Sequence, residues 1–416
     1  MANNPRRVVV TGMGAVTPIG HSVAETWNAA KAGTCGIGPI TQYDSADMKV
    51  SLAGEVKDLD VTAYIEKRDA RKMARFTQLA MIASAEAFAS SGINMEKEDP
   101  TRCGVIVSSG IGSLSDIETN HLRGMDKGFD RVSPHFIPMV ITNIAAGTIA
   151  IKYGFKGVNY CVVTACAGGA HAIGEAFHLI RNGGADLMFA GGSESCVTPL
   201  AIGGFTAMTA LTTTTDVKRA SIPFDKERSG FVLGEGAGIF ILEELEHALA
   251  RGAHIYAECV GYGATCDAYH ITAPDPEGDG CARSMELALE DAGIEPAAID
   301  YINAHGTSTQ LNDSCETLAI KRVFGEDTEI PVSSTKSMTG HLLGATGAVE
   351  AIFSCKTVEE NYILPTINYE VADPACDLNL VVNEGRSEEV NYALSDNLGF
   401  GGHNTSLIFK KWNGSV

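Results

Sequence analysis

Four residues of this chain have types and settings that suit covalent chemistry at a carbonyl carbon: Cys166, His305, Lys336 and His341. Cys166 stands in VVTACAGGAHAIGEA (residues 162–176), after a strand-like run and before a series of alanines and glycines. A thiol at the mouth of a helix meets unpaired amide N–H groups and the positive end of the helix dipole, which predicts a shift toward the reactive thiolate. Ala165, Ala167, Gly168 and Gly169 leave room for a carbonyl compound to approach and for backbone N–H groups to hold an oxyanion. His305 lies in NAHGTST and His341 in MTGHLLG, each beside glycine and hydroxyl residues. Neutral imidazoles so placed can donate hydrogen bonds to a developing enolate or exchange a proton with it. Lys336, shortly before His341, can supply a buried cation, and Phe400 in GFGGHN (residues 399–404) can act as a hinge or lid over the thiol. Each has a plain alternative: a buried small thiol like the other cysteines, structural histidines, a surface lysine, a core phenylalanine in a β-turn.

The elements that must position these residues alternate between strand and helix. RRVVVTGMG reads as a strand ending in a turn, residues 71–91 as a largely buried helix, and TRCGVIVSSGIG as a second strand and turn. VNYCVVTA, CAGGAHAIGEAFHLIRNG and ADLMFAGG then give strand, helix, strand, a βαβ unit with parallel pairing. The second half replays this order, and in both halves a helix ending in Gly-Ile precedes a strand that stops at glycine. The pattern predicts duplication of one βαβ-based unit with its join near residue 255: residues 1–255 carry the thiol and residues 256–416 both histidines. In parallel α/β sheets ligands bind at the carboxyl ends of strands. Cys166, the loop at His305 and the loop carrying Lys336 and His341 all fall there.

Composition narrows the class. The 416 residues suffice for two ordinary domains or one large duplicated one, and 45% hydrophobic with 20% charged is usual for a soluble globular protein. No apolar run approaches the ~18 residues of a membrane span, and the three valines after Arg6 and Arg7 are too few for a signal-peptide core, so a cytoplasmic location is expected. The 11 cysteines have neither CxxC pairing nor ligand spacing, which predicts free thiols and no zinc. A formal net charge of −20 argues against nucleic acid as a partner.

TACAGGAHAIGEA, PFDKERSGFVLGEGAG, NAHGTST, SSTKSMTGHLLGATGAVEA and GFGGHN occur in this order along the whole chain. In this it resembles the β-ketoacyl-acyl carrier protein synthases of the type II branch, the condensing enzymes of dissociated fatty-acid synthesis. The resemblance implies the thiolase fold, a duplicated five-layer α/β/α/β/α architecture, and a homodimer. It implies Cys166 as nucleophile, His305 and His341 as the pair that stabilises the enolate left by decarboxylation, Lys336 beside them and Glu350 as a buried supporting acid. Backbone N–H groups of Cys166 and Phe400 would form the oxyanion hole. Thr307 and Thr309 would hold the pantetheine arm, Phe231 would line the malonyl pocket, and Ile111 and Phe205 the acyl tunnel. The reaction implied is decarboxylative Claisen condensation of a Cys166-bound acyl group with malonyl-acyl carrier protein. It needs no metal or redox cofactor, since the phosphopantetheine arrives on the carrier protein.

Two departures from the family pattern stand out. Gly168 replaces the usual Ser or Thr after the nucleophile, and Leu398 replaces an aromatic residue beside the gate, which leaves chain-length preference open. Carrier proteins of this pathway are acidic, so docking requires a locally basic face. IEKRDARKMARF offers Lys67, Arg68, Arg71, Lys72 and Arg75, with Lys127 and Arg131 as further candidates; a solvated helix end is the alternative. A ketosynthase of a type II polyketide or specialised lipid pathway shares every motif. A Cys-His acyltransferase or hydrolase is the alternative from another class, and it has no need for two histidines and a lysine.

Overall fold

The valine-rich first strand and its counterpart after residue 255 anchor two equivalent sets of strands. The computed structural model describes residues 5–414. The first set is β1 (Val8–Val16), β2 (Cys103–Ser108), β3 (Asn159–Tyr160), β4 (Leu187–Glu194) and β5 (Gly236–Glu244). The second is β6 (Ala257–Cys266), β7 (Tyr301–Asn303), β8 (Val332–Ser333), β9 (Tyr392–Gly399) and β10 (His403–Lys411). Their orders across the sheet are β1-β5-β4-β2-β3 and β6-β10-β9-β7-β8. Strand senses repeat as well. β1–β5 and β5–β4 are antiparallel while β4–β2 and β2–β3 are parallel, and the same holds for β6–β10, β10–β9, β9–β7 and β7–β8. The pairing is therefore only half parallel. The last strand of each set returns against its neighbour, in the second half through the tight turn at Phe400–Gly402, where no crossover helix intervenes. The two sets meet edge to edge where Val8–Val10 pair antiparallel with Ala257–Cys259.

Side chains alternate across each set with the period of a pleated strand. On β2, Val105 and Val107 pack into one core and Ile106 into another; on β5, Ile239 and Ile241 divide from Phe240 and Leu242 in the same way. The outer core of the first set is closed by α1 (Arg75–Ser91). The core shared by both sets holds α2 (Gly168–Arg181) and α5 (Thr346–Glu360). The outer core of the second set is closed by α3 (Asp279–Ala292) and α4 (Gln310–Phe324). Helix, sheet, helix, sheet, helix is the five-layer arrangement.

Small residues set the layer spacing. A Cβ on Gly14 of β1 would lie 1.9 Å from the Ala83 carbonyl oxygen of α1, and one on Gly263 of β6 would lie 1.9 Å from the Ser284 oxygen of α3. In the central layer a Cβ on Gly169 would come 2.9 Å from the Ala348 nitrogen, and one on Gly347 2.8 Å from the Ala170 nitrogen. Backbones can approach this closely only where the side chain is absent. The Gly-Ile pairs noted in the sequence are helix stops: Gly92 after α1 and Gly293 after α3 both take the left-handed conformation, φ 65° and 66°. Among the described residues no helix is long and apolar enough to cross a membrane.

Candidate active site

Cys166 sits in a single 3₁₀ turn, Ala165–Ala167, that feeds directly into α2. Ala165 holds φ +50°, a region disfavoured for residues with a side chain, so the turn carries local strain beside its thiol. Thr164 braces the turn through a 2.8 Å hydrogen bond between Oγ1 and His171 Nδ1. The second half contains the matching turn, Leu343–Ala345, with Leu343 at φ +46° leading into α5. There the central position is Gly344. A Cβ on it would lie 2.6 Å from the Gly110 nitrogen and 2.8 Å from Glu194 Oε2.

His305 follows β7, Lys336 and His341 follow β8, and Phe400 caps the β9–β10 turn. These strand ends converge on one cavity of about 500 Å³, whose lining includes Cys166, His305, His341 and Phe400. The rings of His305 and His341 stand 5.3 Å apart at 85°. Lys336 Nζ lies 3.2 Å from His305 Nδ1, donates to the His305 carbonyl, and pairs with Glu350 Oε1 at 2.6 Å. Asn397 Nδ2 donates to the other Glu350 oxygen at 2.6 Å and lies 3.4 Å from His305 Nδ1. His341 Nδ1 is 2.9 Å from Thr346 Oγ1. Phe231 packs edge-on to His341 at 5.2 Å and against Phe205 at 5.4 Å.

Burial and the Lys336 charge hold both imidazoles well below their ordinary pKa, so both are neutral donors. Burial also pushes the Cys166 thiol up to about 12, although Lys336 and the backbone N–H groups of Phe400 and of Cys166 itself pull it down. The thiolate shift expected from the helix mouth is thus overturned. Around the buried sulfur, desolvation of the anion outweighs Lys336 and the N–H donors together.

Ile111, Phe205, Phe231, Thr307, Thr309 and Leu398 all line the same cavity. Glu350 lies behind Lys336, where burial raises its carboxyl to about 7 against the pull of the lysine. Thr309 caps α4, and its hydroxyl is 2.9 Å from that of Thr307. Gly168 has a local reason. A Cβ there would lie 2.1 Å from Ser108 Oγ, so the β2 hydroxyl already fills the space a side chain at 168 would take.

The basic stretch is corrected in part. Lys67, Arg68, Arg71 and Lys72 are exposed, but they span a short helix, Lys67–Ala70, and the turn after it, so no single helix face collects them. Arg75 turns inward to the buried Glu235, with Nε 2.7 Å from Oε2, and also donates to the Val56 carbonyl. It is structural. Lys127 and Arg131 are exposed.

Sequence reasoning passed over the acids that hold the histidine loop. Glu316 accepts from the His305 and Gly306 N–H groups at 2.5 and 2.8 Å, and Asp313 accepts from that of Thr307 at 3.0 Å. Burial raises the nearby Asp396 carboxyl to about 6, and burial together with the Asp396 charge raises Glu316 well above its ordinary value. The available signal was acidic residues at buried positions of α4. Thr346 and Asn397 were passed over as well.

The amino-acid sequence matches the model of the Beta-ketoacyl synthase N-terminal domain over residues 5–248 and that of the Beta-ketoacyl synthase C-terminal domain over residues 256–370. The chain belongs to the β-ketoacyl synthase family. It is 51% identical over 408 residues to 3-oxoacyl-[acyl-carrier-protein] synthase 2 of Staphylococcus aureus strain COL, covering 98% of this chain and 99% of that one. It is 50% identical to the protein of the same name from Synechocystis sp., covering 99% and 100%. A β-ketoacyl synthase from Burkholderia phymatum superposes with a TM-score of 0.91 at 37% identity, over 98% of this chain and 100% of that one. One chain of the solved AntDE:AntF structure, a type II PKS acyl-carrier protein in complex with its ketosynthase, superposes equally well at 0.91 and 38% identity, over 98% of this chain and 100% of that one. These neighbours establish the ketosynthase fold.

Proposed function

We propose that this β-ketoacyl synthase, a condensing acyltransferase, joins an acyl group held on Cys166 to malonyl-acyl carrier protein, giving 3-oxoacyl-acyl carrier protein and CO2 in fatty-acid elongation. The observation that carries the reading is one cavity lined by a buried thiol and two neutral imidazoles in contact, with a lysine behind them. Half-identity to relatives named 3-oxoacyl-[acyl-carrier-protein] synthase 2 over nearly the whole chain supports the fatty-acid branch.

The Cys166 sulfur attacks an acyl thioester, and its proton leaves with the departing carrier thiol. The N–H groups of Cys166 and Phe400, which in the resting protein lower the thiol pKa, pass to the carbonyl oxygen as it gains charge. Malonyl thioester then enters beside Phe231, with its arm along Thr307 and Thr309. Losing CO2 leaves an enolate, whose oxygen accepts hydrogen bonds from His305 and His341. Its carbon attacks the acyl-enzyme; the C–S bond breaks, and the departing Cys166 thiolate takes up one proton from solvent to restore the thiol. The chain's own residues suffice for these steps; the phosphopantetheine comes with the substrate.

The working form is a homodimer in the cytoplasm. The edge strand β3 is exposed, as are Ile151, Tyr160 and Val163 around it, and a second copy offers the same edge for antiparallel pairing. Lys67, Arg68, Arg71 and Lys72 form the carrier-protein face.

Intact-protein mass spectrometry with acyl carrier proteins of several chain lengths should show one acyl group, located on Cys166. Malonyl-carrier protein should then release CO2. Loading without CO2 release would replace condensation with acyl transfer or hydrolysis.

A further inference from the structure

The two imidazoles must both present a proton to the cavity if they are to bind an enolate, and a neutral ring has only one to give. For His305 the placement follows from its partner. Lys336 Nζ, 3.2 Å from Nδ1, can only donate, so Nδ1 carries the lone pair and Nε2 the proton. His341 has no such lysine. Its Nδ1 faces Thr346 Oγ1 at 2.9 Å, and a hydroxyl can donate or accept.

Burial decides the direction. Thr346 is 2% exposed and His341 3%. The hydroxyl has no other hydrogen-bond partner among the described residues. If Nδ1 held the proton, Thr346 would accept and its own buried proton would have no acceptor, which is costly. If Thr346 donates, both groups are satisfied. Thr346 is also the first residue of α5, so its position is set by the helix start and does not depend on a mobile loop.

We propose that Thr346 is a positioning residue: its hydroxyl donates to His341 Nδ1 and so keeps the ring proton on Nε2, the nitrogen left to face the reacting enolate. This rests on the condensation reading above. It assigns the two halves of the enolate site separate supports, Lys336 for His305 and Thr346 for His341.

The test compares the full-length protein with Thr346→Val, which keeps the shape and removes the donor, and Thr346→Ser, which restores the donor. Nitrogen NMR of histidine-labelled protein, with the His341 signals identified by their loss in His341→Asn, reads the tautomer directly. Wild type and Thr346→Ser should show an unprotonated Nδ1 and a protonated Nε2, and Thr346→Val a mixture of tautomers. In Thr346→Val the kcat for malonyl decarboxylation should fall about tenfold, less than the ~10²–10⁴-fold contribution of a whole acid–base group because His341 itself remains. Its KM and the rate of Cys166 acylation should not change, and Thr346→Ser should match wild type. A proton on Nδ1 in the wild type, an unaltered Thr346→Val, or a Thr346→Ser as impaired as Thr346→Val would each overturn the assignment. Absence of CO2 from the wild type would instead fell the condensation reading, and the tautomer measured in the same sample would still decide this one.

Discussion

Cys166 shows how burial reverses a reading that local features invite. Its helix mouth, its strained turn and its two N–H neighbours favour an anion, yet desolvation raises the thiol to about 12. Alkylation of Cys166 by iodoacetamide should therefore keep accelerating up to about pH 10. A plateau below pH 8 would mean a resting thiolate. That Cys166, His305, Lys336 and His341 come together was legible because each stands at a strand end among small residues. The sign of the thiol's shift was not, because it depends on how completely layers distant in sequence exclude water. Gly168 makes a similar point. Alone it looks like a lost hydroxyl; beside Ser108 it is one half of an exchange of space. Gly168→Ala should cost about 1–3 kcal/mol of stability by overpacking, and adding Ser108→Ala should return most of it. Denaturant midpoints of the two single variants and the double variant measure that coupling, and additivity would refute it.

At the level of elements, duplication was legible in the repeated order of strands and helices and in the paired Gly-Ile stops. The antiparallel return of β5 and β10 was not, since strand-like residues carry no mark of direction. β3, β7 and β8 shrink to two or three residues, because the loops that lead to Cys166, His305 and Lys336 take over where the sequence still reads as strand. The repeat makes a symmetrical prediction. Gly14→Ala and Gly263→Ala should each push a helix off its sheet and destabilise the protein by a similar amount, about 1–3 kcal/mol, in thermal or denaturant unfolding. A large effect in one half alone would mean that the outer layers differ in support. The strand β5 also carries a pH-sensitive tie. Glu243 and Glu98 hold His247 between them at 2.6 and 2.8 Å and raise its pKa to about 9. A raised histidine stabilises the fold fully below its unfolded value, ~6.5, and that contribution is lost as pH rises through about 9. Melting temperature should decline across that window and flatten in His247→Gln.

For the whole molecule, the proposed function asks a chain of net charge −20 to meet an acidic carrier through a local exception, for which Lys67, Arg68, Arg71 and Lys72 are the candidates. Reversing Arg68 and Lys72 to glutamate should raise KM for carrier-bound substrate and leave free pantetheine thioesters unaffected, with the difference shrinking as salt rises. Equal effects on both substrates would remove the docking role. Arg75 warns against counting charges along a sequence, since the strongest ion pair in that stretch points into the protein. The matching turns at Cys166 and Gly344 carry one last implication. In a symmetric pair of separate, identical subunits, neither turn could give up its sulfur without its twin doing so as well. Joining both copies in one polypeptide frees them to diverge: one keeps a thiol, while the other becomes a wall with no room for one.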